Sequence, residues 1–230
     1  MATSDQAQHK AQVKAQVKAL VRGNSEALWL QGKVGRIEAL RDTPEGVSKG
    51  TVFVCHPYSL AGGNMDHKVV KTLAQAFVEQ GWTAIRFNMR GVGKTEGVYD
   101  DGIGEAEDLL AIMEAMAPTG ALALAGFSFG THVICQAASR IADGWQRPLS
   151  HLVLVGTATS RFAMQPIPAA WHERALLIHG ENDDTVPINT TLDWCRPQNL
   201  PLLVVPQGGH FFHGQQGLLK QLVLRHLRSL

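Results

Sequence analysis

The sequence predicts an α/β protein built on a mostly parallel, doubly wound sheet with an antiparallel hairpin at one edge. Three observations predict it. Six apolar runs of strand length, "TVFVCH", "WTAIRFN", "ALALAGF", "HLVLVG", "ALLIHG" and "LPLLVVP", are continuous rather than alternating. Strands of that kind are buried on both faces. Segments with apolar residues at helical spacing separate the runs, the alternation of a sheet covered by helices. Ahead of them, "EALWLQGKVGRIEALRD" reads as two strands around a Gly32-Lys33-Val34-Gly35 turn.

Taken in order, residues 1–24 form a helical extension and residues 25–230 a single domain. The extension carries the tandem repeat "AQVK AQVK", with Val13, Val17, Leu20 and Val21 on one narrow stripe. Lys10, Lys14, Lys18 and Arg22 make it locally basic. It reads as an appendage packing on the body or on a second copy, so a homo-oligomer formed through it is one expectation. A partly disordered tail fits the same composition. Within the domain, four helices are expected. Val69, Val70, Leu73 and Phe77 mark the first. Leu109, Ile112, Met113 and Met116 mark the second, opened by the acidic "GEAEDL" that suits a helix N-terminus. Thr131 to Ala142 is the third, and Leu218 to Leu227 closes the chain.

Composition narrows the partners. The chain has 230 residues, 45% of them hydrophobic and 18% charged, enough to bury one substantial core. A net charge of +1 gives no electrostatic reason to expect nucleic acid or a membrane surface. No apolar run approaches a bilayer span, and the N-terminus lacks a secretory apolar region, which together predict a cytoplasmic protein. Cys55, Cys135 and Cys195 are odd in number and set among apolar residues. They read as buried small hydrophobes in a reducing compartment, with no metal site.

One stretch invites a different reading. "FNMRGVGKTEG" contains Gly93-Lys94-Thr95, the closing triplet of a phosphate-binding loop. That loop needs a glycine five positions before its second glycine, and Asn88 stands there. A glycine-rich turn between strand and helix is favoured.

Working groups in such sheets gather at the C-terminal ends of the strands. "ALALAGFSFGTHV" places Gly126-Phe127-Ser128-Phe129-Gly130 between a strand and a helix, a G-x-S-x-G nucleophile elbow in its required context. A serine hydroxyl needs a base, and the last strand runs into "VVPQGGHFFHG". His210 is the candidate, on the flexible Gly208-Gly209 lead, with His213 in reserve. The acid should leave the strand between them. "ALLIHGENDDTVP" offers Asp183 first, with Asp184 and Glu181 as alternatives. An oxyanion needs two N–H donors. Phe129, following the nucleophile, supplies one. In "HPYSLAGGNMDH" Pro57 has no N–H, so Tyr58 is the first residue able to supply the other, on a loop that Gly62-Gly63 lets curl. The tyrosine ring reads equally well as a pocket wall.

The elbow "GFSFG", the acid loop "HGENDDTVP" and the histidine loop "GGHFFHG" resemble the α/β-hydrolase superfamily. The stretches "HPYSLAGGNMDHKVVKTLAQAF" and "GWTAIRFNMRGVGKTEGVYDDGIGEAEDLLAI" resemble its small, lidless bacterial serine hydrolases, close to dienelactone-hydrolase-like proteins. The likeness covers residues 28 to 230. It implies an α/β-hydrolase fold without a large cap, and an Arg-Gly-x-Gly-x-Ser/Thr loop that shapes the sheet edge and touches no phosphate. The chain departs from such members at Tyr58-Ser59, where they often read His-Pro, and at Gly209, where they often place an acid. Dienelactone hydrolases use cysteine as the nucleophile, so their own activity is not implied.

The expected function is hydrolysis of small carboxylic esters or thioesters by Ser128, His210 and Asp183, without metal or organic cofactor. Peptide cleavage, acyl transfer and perhydrolysis are alternatives on the same scaffold, and a non-catalytic binding protein is another. "RFAMQPIPAAWHE" reads as a lip on the acyl pocket or as core packing for Phe162, Met164 and Trp171.

Overall fold

The Gly32 N–H donates to the Gly35 carbonyl at 2.8 Å. That turn closes the expected hairpin of β1 (Ser25–Gln31) and β2 (Arg36–Asp42), paired antiparallel. The structure, a computed structural model, describes residues 25–141 and 149–229. The extension over residues 1–24, and any assembly through it, lie outside the described residues. The hairpin tip is tied down at Asp108, whose Oδ1 accepts the Lys33 N–H at 2.8 Å.

The six apolar runs are the six remaining strands: β3 (Gly50–Cys55), β4 (Thr83–Phe87), β5 (Ala121–Phe127), β6 (Leu149–Val155), β7 (Ala175–Gly180) and β8 (Leu202–Val205). They form one sheet in the order β1-β2-β4-β3-β5-β6-β7-β8. β2 meets β4 antiparallel, and every pairing from β4 to β8 is parallel.

The expected helices form as α1 (Lys68–Glu79), α2 (Ile103–Met116), α3 (Phe129–Ile141) and, last in the chain, α5 (Gln216–Ser229). Glu105 opens α2 by reaching back to the Gly102 N–H at 2.9 Å. A further helix, α4 (Ile188–Cys195), was not expected. It buries only Thr191 and Cys195, too few positions to leave an apolar period in the sequence.

Both faces of the sheet are covered, which is why the strands read as unbroken apolar runs. Val52 and Val54 pack with Val70, Leu73 and Phe77 of α1 and with Val223 of α5. Phe53 and Cys55 point the other way, into a cluster with Leu109 and Ile112 of α2 and Val133 and Ile134 of α3. All three cysteines are buried and free. Among the described residues no helix is long and apolar enough to cross a membrane.

Strand order reverses beside β3: β4 lies on one side of it and β5 on the other. Such a switch point opens a crevice at the C-terminal ends of the two strands. The β5–α3 turn stands there under strain. Ser128 holds φ +53°, a conformation that costs a non-glycine residue about 1–3 kcal/mol. Its N–H extends the ladder to the Val155 carbonyl at 2.9 Å. Flanking glycines admit the neighbouring chain, since a Cβ on Gly130 would stand 2.3 Å from the Cys55 carbonyl oxygen.

The Gly93-Lys94-Thr95 triplet binds the hairpin. The Lys94 N–H and the Asn88 amide both donate to Glu38 Oε2, at 3.0 and 2.8 Å. The Thr95 hydroxyl bridges the Asn88 carbonyl and the Glu38 N–H. A carboxylate sits on the amide that a phosphate would require, and it would repel one.

Two expectations follow. His56 and His151 are pushed down to about 4 by burial, so both are neutral in the fold and protonated in the unfolded chain below pH 6.5. The contribution of these two histidines should be constant above that pH, and stability should fall between about 6.5 and 4, by on the order of 3 kcal/mol per histidine when fully titrated. A melting temperature flat from pH 7 to pH 4.5 would contradict this. The φ of Ser128 makes a second point. Ser128→Gly should melt a few degrees above Ser128→Ala, about 1 kcal/mol apart, because only glycine adopts this conformation without strain. Equal melting of the two variants would show an unstrained turn.

Candidate active site

Four loops converge at the switch point. The elbow presents Ser128. The loop after β7 presents Asp183, and the loop after β8 presents His210. The loop after β3 presents Tyr58. His210 Nε2 lies 3.0 Å from Ser128 Oγ, and His210 Nδ1 lies 2.7 Å from Asp183 Oδ2. The three side chains, separated by 82 and 27 positions in the chain, thus form one hydrogen-bonded line. A carboxylate can only accept, so Nδ1 carries the proton and Nε2 is free to accept from the serine.

Local backbone explains how they meet. Gly180 and Gly208 touch: a Cβ on Gly180 would lie 2.3 Å from the Gly208 carbonyl oxygen. That contact, with the Asn182 N–H donating to Gly208 at 2.8 Å, docks the histidine loop on the acid loop. Gly156, at φ +56°, leaves room for the imidazole, which would stand 3.3 Å from a Cβ there.

Asp183 is held by more than His210. Its Oδ1 accepts the N–H groups of Thr185 and Val186 at 3.0 and 2.7 Å. Burial would raise this carboxyl, but the hydrogen bonds from His210 and Val186 outweigh it and hold the group below its ordinary range. The other acids stay apart. Asp184 is exposed and accepts only the Thr185 hydroxyl, and Glu181 caps the Gln207 N–H. His213 is exposed against Phe211 and does not reach Ser128.

The β3 loop is curled as its glycines require. The Tyr58 carbonyl accepts the N–H of Ala61 and Gly63, and Gly63 passes so close to Pro57 that a Cβ would stand 2.1 Å from its oxygen. Sequence reasoning passed over the residue that clamps this loop. His56 Nδ1 donates to the Pro57 carbonyl at 2.7 Å, and its Nε2 accepts the Met89 N–H at 3.0 Å, joining the β3 and β4 ends. The Tyr58 N–H meets no acceptor among the described residues. Phe129 is the first residue of α3, so its N–H precedes the helical ladder.

A cleft of about 510 Å³ opens over Ser128 and His210. Tyr58, Tyr99 and Phe162 line one side, and their rings pack on the buried Phe129 beneath, Tyr58 edge-on and the other two tilted. Tyr58 is thus a wall as well as a loop residue. His67 and Phe211 line the other side. His67, also missed, caps α1 by accepting the Val69 N–H at Nδ1 and stacks on Phe127 at 5.2 Å. In the β6–β7 segment Phe162 faces the cleft, whereas Trp171 is buried in the core, so that segment is lip and core at once. No group of three metal-ligating side chains occurs among the described residues.

Comparison with known proteins bears on the family and the fold. A profile of the α/β hydrolase fold family matches residues 51–172, more than half of the chain. XC6422 of Xanthomonas campestris, described as an α/β serine hydrolase without a lid, is 35% identical with a TM-score of 0.79, over 90% of this chain and 94% of its own. An α/β serine hydrolase homologue from Coxiella burnetii is 34% identical with a TM-score of 0.74, over 88% of this chain and 97% of its own. An uncharacterized protein of Rickettsia prowazekii is 29% identical over 178 residues, 72% of this chain and 70% of the relative. The chain belongs to the α/β hydrolase family, in its lidless form.

Proposed function

We propose that the protein is a serine hydrolase that cleaves small carboxylic esters or thioesters through an acyl-enzyme. The observation carrying this reading is the unbroken line from Ser128 Oγ through His210 to Asp183, at 3.0 and 2.7 Å, on the floor of an open cleft. In the proposed mechanism Ser128 attacks the carbonyl carbon while His210 Nε2 takes its proton. Asp183 keeps Nδ1 protonated and stabilises the imidazolium that forms. The N–H groups of Tyr58 and Phe129 receive the developing oxyanion. His210 then protonates the departing alcohol or thiol. Water, deprotonated by His210, attacks the acyl-enzyme, and collapse of the second tetrahedral adduct frees the acid and Ser128. The sequence balances without metal or organic cofactor.

The cleft favours hydrolysis of a compact soluble ester. Its volume lies in the range of small-ligand sites, about 300–1,000 Å³, and among the described residues no cap encloses it. Aromatic rings on both walls supply apolar contact to either half of the substrate.

The test is steady-state hydrolysis of p-nitrophenyl acetate by purified variants. Ser128→Ala should lower kcat by a factor on the order of 10⁶. Asp183→Asn should lower it by about 10⁴, since an amide favours the wrong imidazole tautomer. His213→Ala and Asp184→Asn should stay near the parent rate. Undiminished turnover by Ser128→Ala would falsify the assignment.

A further inference from the structure

The proposed mechanism gives no step to His179, a fully buried imidazole at the end of β7. Its Nε2 lies 2.9 Å from the carbonyl oxygen of Val186. A carbonyl can only accept, so Nε2 carries the proton. That N–H is committed to Val186, and Nε2 packs 3.4 Å from Asp183 Oδ2, the oxygen that His210 also uses. Nδ1, left bare, faces the Thr191 hydroxyl at 3.4 Å. Burial opposes a charge on this ring and holds it below the ordinary histidine range, against the pull of the Val186 carbonyl and of Asp183. The titratable groups acting on it are Asp183 and His210. The pair with Asp183 is therefore a neutral donor beside a carboxylate and carries no positive charge.

These contacts close a circuit around the site. Starting at the elbow, the Thr131 hydroxyl donates to the Ser128 carbonyl at 2.6 Å and accepts the Ala158 N–H at 3.2 Å. In the same loop the Thr157 carbonyl accepts the Thr191 hydroxyl at 3.4 Å. Thr191 borders His179, which borders Asp183, and from there His210 leads back to Ser128. His179 is the one member joining the helix α4 side of this circuit to the acid.

We propose that His179 is a positioning residue for the Asp183 carboxylate. Through the Val186 carbonyl it holds the turn whose N–H groups grip Oδ1, and its ring packs against Oδ2. With Oδ1 fixed, Oδ2 stays aimed at His210 Nδ1. Neutrality is part of the arrangement: a charged partner would cancel the negative charge that the His210 imidazolium needs during the reaction. The proposal rests on the serine hydrolase reading for its effect on rate, and on geometry alone for its effect on Asp183.

Two measurements test it, p-nitrophenyl acetate kinetics and the low-field proton resonance of His210 Nδ1–H, on His179→Gln, His179→Asn and His179→Leu. Glutamine places an amide N–H where Nε2 stands, whereas asparagine is too short to reach the Val186 carbonyl and leucine has no donor. The glutamine variant should keep the resonance and stay within about threefold of the parent kcat. The asparagine and leucine variants should lose or broaden the resonance and lose roughly 10- to 100-fold in kcat, the range for leaving one buried carbonyl without its donor. KM should stay within about twofold. If leucine fails to fold, the glutamine–asparagine pair decides alone. A folded asparagine or leucine variant with parent kcat and resonance overturns the proposal, as does a glutamine variant impaired as much as asparagine, since either makes the ring mere filling. A parent protein inert toward esters whose resonance still follows this pattern would sink the hydrolase reading and leave the positioning role standing.

Discussion

A serine held against its own backbone preference is the constraint on which the rest of the structure depends. Ser128 takes a left-handed conformation at the β5–α3 turn because its neighbours leave no alternative. Its N–H is committed to the sheet and its carbonyl to the first turn of α3. Gly130 lies against the carbonyl of Cys55, and Gly126 against Ile134, so the turn is as tight as backbone contact allows. The strain lifts the hydroxyl out of the sheet toward His210. Five parallel pairings and two buried faces offset its cost.

Around that turn, side-chain hydrogen bonds tie the loops to their neighbours. His56 clamps the β3 loop to β4. Glu38 fills the glycine turn after β4 with a carboxylate. Arg90, buried, donates to Asp108, which also caps the hairpin tip. Histidine recurs in these roles because a neutral imidazole offers one donor and one acceptor at fixed directions, and burial keeps it neutral. The same one-donor, one-acceptor geometry by which His210 joins Asp183 to Ser128 makes His56 and His179 suitable as struts.

Much of this was legible in the sequence, for identifiable reasons. Continuous apolar runs announce strands buried on both faces, and the elbow pentapeptide announces a turn only small flanking residues permit. Chain order then ranks the acids and histidines, and it is His210 that meets Ser128 and Asp183 that meets His210. What stayed hidden depends on three-dimensional partners. His56 and His179 look like strand ends, and nothing along the chain shows Met89 or Val186 beside them. Helix α4 buries too little to leave a period. His67 reads as a polar residue before a helix, and only the packing of Phe127 and Phe211 turns it toward the cleft. The phosphate-loop triplet is the converse case: a local pattern whose meaning was set by Glu38, far away on β2.

The central claim is that these loops assemble a site complementary to a tetrahedral adduct on Ser128. A crystal structure of the protein after reaction with a fluorophosphonate tests it most directly. The account requires phosphorus bonded to Ser128 Oγ, with one phosphonyl oxygen about 2.7–3.1 Å from the backbone nitrogens of both Tyr58 and Phe129. An adduct on another residue, or a phosphonyl oxygen turned away from both nitrogens into solvent, would contradict it.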